Sequence, residues 1–394
     1  MASLLIALIY LSFISLGLPD SLLGSAWPVM RLEFGASLSM AGMISMIIAG
    51  GTIISSLLSD RLTRKFGTGT VNAVSVCLTA VALFGFSVSD SILLICLCAI
   101  PYGLGAGAVD AALNNYVALH YSGRHMSWLH CFWGVGALIS PYIMSYCLSA
   151  QHGWRVGYRT VSLIQFALTV VLIATLFVWK RPSVTVDFSN TGASSAKPIG
   201  VLGALRLRGV PYILIAFFGE CALECTAGLW ASSYLVEYRG VDAQTAALFA
   251  SLYYVGMTLG RFLNGFIADR LSDRTLIRIG LCVMACGIGC MLLPGSSDIP
   301  TLTGLVTVGV GCAPVYPCII HSTPSNFGRE HSQSIVGIQM ASAYMGSTLM
   351  PPLFGVIAGR VGIFLYPVFL ALFVVLMTVM TELLNRKIAR FPTI

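Results

Sequence analysis

Apolar residues run along this chain in blocks of about twenty, each closed by a short polar or glycine-rich gap. A helix needs about 20 apolar residues to cross the hydrocarbon core of a bilayer. Blocks of that length predict membrane helices over residues 3–29, 37–58, 70–89, 91–118, 127–149, 158–179, 210–236, 244–268, 275–293, 299–321, 333–358 and 361–384. The longest polar gap, "KRPSVTVDFSNTGASSAKPIG", is rich in Ser, Thr, Gly and Pro and reads as a flexible linker. It divides the spans six and six. The expected organisation is an N-terminal six-helix half over 1–182, a linker over 183–204 and a C-terminal six-helix half over 205–394. The start, "MASLLIALIY", has neither the basic region nor the small-residue cleavage site of a removable signal peptide, so the first span is expected to stay in the protein.

Composition agrees with a chain that faces lipid. Hydrophobic residues make up 57% and charged residues 9%, against about 25% charged in soluble domains. The placement of the 22 Lys and Arg residues sets the orientation. With the N-terminus in the cytoplasm, sixteen of them fall on the inner side, in loops, the tail or at a span end (Arg278), five on the outer side, one of them at a span end (Arg159), and one, Arg261, deep within a span. That bias puts both termini and the linker on the cytoplasmic side. The charge of +7 is thereby a topology signal, and no nucleic-acid partner is expected. A multi-pass protein of the plasma membrane, working as a monomer in the lipid bilayer, is the expectation. The twelve cysteines lie almost wholly within spans, and Cys282, Cys286 and Cys290 recur at helical spacing. No metal-ligand spacing accompanies them, so they read as soft packing residues.

Two stretches repeat. "SLLSDRLTRK" (56–65) follows the second span and "GFIADRLSDR" (265–274) the eighth. Asp60-Arg61-Leu and Asp269-Arg270-Leu stand 209 residues apart, which indicates two halves of parallel topology. Their residues resemble the loop signature G-x-x-x-D-R-x-G-R-K of the major facilitator superfamily. Ser56 and Thr63 depart from its glycines in the first copy and Ser272 in the second. The resemblance implies an all-α integral membrane protein with twelve transmembrane helices in two pseudo-symmetric six-helix halves. It also implies that these loops gate access at the cytoplasmic face. Asp60 has two candidate partners, Arg61 and a neighbouring helix terminus.

Four acids lie well inside spans, Glu382 standing at the very end of the last. Asp20 sits in "GLPDSLLGSAWP" of the first, Asp110 in "GLGAGAVDAALNNYV" of the fourth, and Glu220 and Glu224 in "GECALECTAGLW" of the seventh. A charged residue at mid-bilayer costs at least ~2.5–3.5 kcal/mol, so such groups mark proton or substrate pathways by default. Asp20, Asp110 and Glu224 are the candidates for proton coupling, with a bond to a neighbouring helix as the alternative for each. Glu220, nearer the helix start, divides evenly between function and structure. Arg261 is either the ion partner of a membrane acid or a side chain that snorkels to the interface. On a helix, positions 103, 107, 110 and 114 fall along one face. Its glycines permit close approach to another helix or a ligand, and Asp110 and Asn114 are expected to face the interior together. Asn115 points about 100° away, so its replacement is expected to matter less.

"GLPDSLLGSAWP", the fourth-to-fifth span region "GLGAGAVDAALNNYVALHYSGRHMSWLHCFWGVGALISP", "ECTAGLWASSYL" and "YYVGMTLGRFLNGFIADRL" look like the fucose:proton symporter-like branch of the superfamily. That branch implies acids on the first and fourth helices, matched by Asp20 and Asp110. Sugar hydroxyls need amides and acids, and sugar ring faces need aromatic cover. The expected substrate-binding set is Asn114, His130, Trp133, Trp230, Tyr253, Tyr254, Tyr316 and Gln339, with Asn115, Gln165, Tyr344 and Trp27 as further candidates. Trp27 has an interfacial belt as its alternative, and Trp154 and Trp179 are assigned to belts. No cofactor, metal site or catalytic constellation is expected. The reading is a secondary active transporter for proton-coupled uptake of a sugar or similar small polar solute, with sodium as the other coupling ion. Its competitor is a proton-coupled exporter of amphipathic drugs or metabolites; a sensor or an enzyme is less well supported.

Overall fold

The computed structural model describes residues 2–36, 40–150, 152–179, 200–294 and 297–390. Among them every regular element is helical. The first half holds α1 (Ala2–Gly17), α2 (Leu22–Glu33), α3 (Met40–Phe66), α4 (Thr68–Ser87), α5 (Ile92–His120), α6 (Gly123–Ser149), α7 (Gly153–Ala174) and the single turn α8 (Leu176–Trp179). The second holds α9 (Gly200–Arg206), α10 (Val210–Glu237), α11 (Ala243–Ile267), α12 (Asp273–Leu292), α13 (Ile299–His321), α14 (Thr323–Phe327), α15 (Ser332–Arg360), a 3₁₀ turn (Ile363–Leu365) and α16 (Tyr366–Arg390). Among the described residues ten spans are long and apolar enough to cross a membrane, α1 and α2 together forming one. The remaining expected spans, α11 and α15, are 25 and 29 residues long and carry more small and polar residues. Residues 183–199 of the expected linker lie outside the described residues; its end, from Gly200, is α9.

Two expected elements differ. The first span is not one helix: α1 stops at Gly17 and α2 starts at Leu22, with Asp20 in the break. Pro19 explains this. It donates no backbone N–H, and its ring disfavours helical geometry in the preceding residue. The chain crosses the gap with short-range bonds, Asp20 N–H to the Gly17 carbonyl at 3.3 Å and Leu22 N–H to the Pro19 carbonyl at 3.1 Å. Conversely, α3 runs eight residues past its expected end, through the whole Asp-Arg-Leu segment to Phe66. The Asp60–Arg64 ion pair at 2.8 Å, one turn apart, supports that extension.

Contacts group the chain into two compact units. One comprises 1–116, 132–204 and 330–340, the other 117–131, 205–329 and 341–394. Glycine sets the helix spacing in both. In the first, Gly103 and Gly107 of α5 lie against the Ile48 and Thr52 carbonyls of α3, and Ser56 Oγ donates to the Gly107 carbonyl at 3.1 Å. In the second, Gly280 of α12 meets the Gly311 carbonyl of α13, and Gly287 meets that of Gly304. Packing α12 by that face leaves Cys282 and Cys286 exposed, so these two are not the packing residues expected. Large apolar side chains such as Leu93, Leu163, Val170 and Leu372 are exposed on the long helices, as lipid-facing surface requires.

The tryptophans assigned to belts pack against the protein. Trp154 is buried and its Nε1 donates to Glu33 at 2.6 Å, while Arg155 pairs with the same carboxylate. Trp179 packs on Gly69 and meets Tyr116 edge-on. Trp27 belongs to the apolar interior with Leu22, Met30, Phe86 and Tyr158. Gln165 is likewise internal: it donates to the Ser15 carbonyl and accepts from Thr79, both at 2.8 Å.

A Cβ on Gly107 would collide with the Thr52 carbonyl, a backbone atom that cannot swing aside. Gly107→Val is expected to destabilise the protein by about 1–3 kcal/mol, the cost of overpacking, read as a lowered thermal unfolding midpoint in detergent. Gly289→Ala, on α12 with open space around it, is expected to leave the midpoint unchanged or slightly raised.

Candidate functional site

The break between α1 and α2 presents Asp20 as an exposed carboxylate in an otherwise apolar span. Two donors hold it. Tyr102 Oη of α5 donates to one oxygen at 3.0 Å, and Trp133 Nε1 of α6 donates to the other at 3.0 Å. Each carboxylate oxygen retains acceptor capacity beyond these bonds. Gly17 lies against the Trp133 carbonyl and Gly136 against that of Ile14, so α1 and α6 touch backbone to backbone. That closeness places the indole over the break. Asp20 and Trp133, both picked from sequence, are thereby brought together. Tyr102 was missed; the only signal was a tyrosine beside Pro101 in an apolar helix.

Asp110 and Asn114 lie one turn apart on α5, both buried. Asn114 Nδ2 donates to Asp110 Oδ1 at 2.8 Å and to the Asp110 carbonyl at 3.0 Å. The glycine-bearing face they share packs on α3. Asn115, expected to matter less, has definite partners. Its Nδ2 donates to Gln333 Oε1 at 2.7 Å, and its Oδ1 accepts from Ser332 Oγ at 2.5 Å. It thus joins α5 to the first turn of α15. Gln339, further along α15, is buried.

The second unit holds the other cluster. Arg261 of α11 pairs with Glu224 of α10 at 2.9 Å, and the pair is only 3% and 14% exposed. Tyr253 Oη donates to the Glu224 carbonyl at 3.2 Å and lies 3.8 Å from Cys312 Sγ. The Arg261 guanidinium stands 5.8 Å from the centre of the Tyr316 ring, whose edge-to-face partner is His130 at 4.5 Å. Glu224, Arg261, Tyr253, Tyr316 and His130 therefore form one group. Of the two readings of Arg261, the structure shows the ion pair. Tyr254 meets the Tyr253 ring edge-on at 5.1 Å, at the margin of the group, and Trp230 bonds elsewhere. Tyr254 is 42% exposed, with its hydroxyl end on Gly228, and Trp230 Nε1 donates to the Pro351 carbonyl at 2.9 Å.

The repeated Asp-Arg-Leu acids sit in matching places. Asp60 accepts from Ser334 Oγ at 3.1 Å, in the first turn of α15, and its charge partner is Arg64 rather than Arg61. Asp269 pairs with Arg124 at 3.0 Å, in the first turn of α6. Nearby, Asn264 donates to Ser127 at 2.7 Å, and Trp128 Nε1 donates to the Phe262 carbonyl at 3.2 Å while covering Gly265. Arg61 and Arg270 are exposed and form no ion pair among the described residues.

Comparison with known proteins gives this arrangement its class. A model of the Major Facilitator Superfamily matches residues 9–238 and 213–388. The chain belongs to that superfamily and is a multi-pass membrane transporter of its two-times-six-helix fold. It is 22% identical to the glucose/mannose transporter GlcP of Bacillus subtilis over 353 residues, covering 88% of this chain and 86% of that one. It is 24% identical to the Bypass of stop codon protein 6 of Saccharomyces cerevisiae over 404 residues, covering 93% and 79%. In structure it resembles the major facilitator transporter FucP in its outward conformation, with a TM-score of 0.79 at 17% identity over 96% of this chain and 98% of that one. The proton:xylose symporter XylE gives 0.74 at 14% identity, over 98% and 95%.

Asn115→Ala is expected to destabilise the protein by about 1–3 kcal/mol, because Ser332 and Gln333 lose a buried partner. Arg61→Ala, at an exposed position, should stay within about 0.5 kcal/mol of the parent. Thermal unfolding of the two purified variants decides the ranking.

Proposed function

We propose that the protein is a proton-coupled importer of a sugar or similar small polar solute, working by alternating access of its halves, 1–182 and 205–394. The observation that carries this reading is the Asp20 carboxylate at a break in the first membrane helix, held by one phenol and one indole donor. A carboxylate accepts from sugar hydroxyls, an indole covers an apolar sugar face, and an unwound segment lets backbone groups line a polar path. The activities that name two of its relatives, glucose/mannose transport and proton:xylose symport, support the substrate class. In this reading Asp20, Asp110 and Glu224 are the coupling acids, and Asn114, His130, Trp133, Trp230, Tyr253, Tyr254, Tyr316 and Gln339 contribute to substrate binding. The acids at 60 and 269, with Arg61, Arg270 and Arg261, take part in gating. The plasma membrane, with both termini cytoplasmic, is the proposed setting and the monomer the proposed working unit. No chemical conversion of the solute is part of the proposal.

The test is uptake of labelled D-glucose, D-mannose, D-xylose and L-fucose into proteoliposomes, with pH and sodium gradients imposed separately. A pH gradient is expected to drive accumulation of at least one of them and a sodium gradient none. Asp20→Asn keeps the shape of the side chain but cannot carry a proton. It is expected to lose at least tenfold of the gradient-driven accumulation while retaining counterflow exchange. Full uphill uptake by this variant would remove Asp20 from coupling.

A further inference from the structure

One buried acid has no place in the interactions above. Glu220 of α10 is fully buried, and neither of its carboxyl oxygens has a hydrogen-bond partner among the described residues. Glu224 stands one turn further along the same helix, about 6 Å in axial rise, and already holds Arg261. Arg261 in turn keeps a buried Nε with no partner. Among the described residues no second Lys or Arg pairs with either acid. On α10 the nearby ionisable groups are Glu224 and Cys221; on α11, Arg261 and Tyr253; on α13, Cys312 and Tyr316, with His130 of α6 against Tyr316. Helix α16 presents Phe373, Leu376 and Met377 to the neighbouring Gly219, and α15 presents Gly346 to the Phe218 carbonyl. Two acids therefore share one arginine. An ionised, unpaired carboxylate buried among such groups is far more costly than a neutral one, so the pair carries one proton. Geometry assigns it: Glu224 is the acid in the ion pair and Glu220 is the one left over.

We propose that Glu220 is the resident proton seat of the second unit, and that Arg261 exchanges between the two acids as the proton moves. In the step envisaged, the Glu220 O–H bond breaks and a Glu224 O–H bond forms, directly or through one water. Arg261 leaves Glu224 and pairs with Glu220, whose charge now matches its own. The net charge of the group is constant throughout. Glu224, the more exposed acid, is then the point at which the proton enters and leaves, while Glu220 stores it out of reach of solvent. The proposal rests on the proton-coupled reading above and moves one coupling role from Glu224 alone to the pair.

Infrared difference spectroscopy of the full chain in liposomes tests this with no sugar present, so its result is separate from the substrate question. The carbonyl-stretch band of a neutral carboxylic acid is read in the wild type at neutral pH and in each variant. Glu220→Gln is expected to remove band intensity equal to one acid. Glu224→Gln is expected to do the same, because Arg261 then has only Glu220 to pair with. Arg261→Met is expected to add one neutral acid. An unchanged band in Glu220→Gln overturns the seat, and an unchanged band in Glu224→Gln overturns the exchange. Should Glu220→Gln fail to fold, the wild type is treated with dicyclohexylcarbodiimide, a lipophilic reagent for neutral buried carboxyls, and mapped by peptide mass. Labelling at Glu220 supports the proposal; labelling at Glu224 alone, or at neither, overturns it. In uptake driven by an imposed pH gradient, Glu220→Gln is expected to lose accumulation while counterflow persists, and unimpaired accumulation counts against the proposal.

Discussion

Hydrocarbon offers no hydrogen bonds, so every polar group placed at membrane depth must find its partner within the protein. The rest of this structure can be read as answers to that constraint. Where Pro19 breaks the first span, three-residue backbone bonds bridge the gap, and Tyr102 and Trp133 supply donors to the carboxylate it presents. Where α11 carries a cation, α10 supplies the acid. Where α5 carries two successive amides, one turns back on its own helix to Asp110 and the other reaches across to α15. None of these groups would be tolerated facing lipid, and each therefore fixes the rotation of the helix that bears it.

The same economy governs the two Asp-Arg-Leu segments. Residue 332, where α15 starts, lies 209 positions after residue 123, where α6 starts, the same interval that separates Asp60 from Asp269. Each unit has taken in the first turns of a helix from the opposite half of the sequence, 330–340 in one and 117–131 in the other. In each, the acid of the repeated segment bonds a side chain in those first turns. The pairings are related but not identical. Ser56 and Gly337 meet through small surfaces, whereas at the corresponding place Gly265 receives the Trp128 indole. A small residue facing a small one has become a hole filled by a knob, so the repeat keeps its geometry while its sequences diverge.

Hydrophobic length made the twelve spans legible, and most observed helices start within a few residues of the expected positions. The failures are physical. At Pro19 the apolar pattern continues straight through, because burial demands the same residues whether or not the backbone is helical. At 59–66 the polarity of the segment suggested a loop, yet α3 continues because an i,i+4 ion pair favours a helix and Ser334 satisfies Asp60. That Asp110 and Asn114 share one face of α5 followed from helical spacing. The partners of Asn115, Tyr102 and Trp154 did not, because they lie on helices tens or hundreds of residues away. For the tryptophans, composition alone does not separate an indole at an interface from one buried against Glu33.

The three acids proposed for coupling differ in what holds them, and that difference orders their roles. Asp20 is exposed and accepts from two neutral donors, which stabilise its charge without supplying a compensating one. Its charge is thus available to a solute or a proton arriving from solvent. Asp110 is buried against Asn114, whose Nδ2 donates to its carboxyl, a neutral donor that supplies no compensating charge. Glu224 is matched by a full positive charge, so its protonation must free Arg261. That event changes a contact between α10 and α11, and protonation of Asp20 changes its contacts with α5 and α6. In the proposed coupling both kinds of event count, since an effector shifts a conformational equilibrium only through contacts that differ between its states.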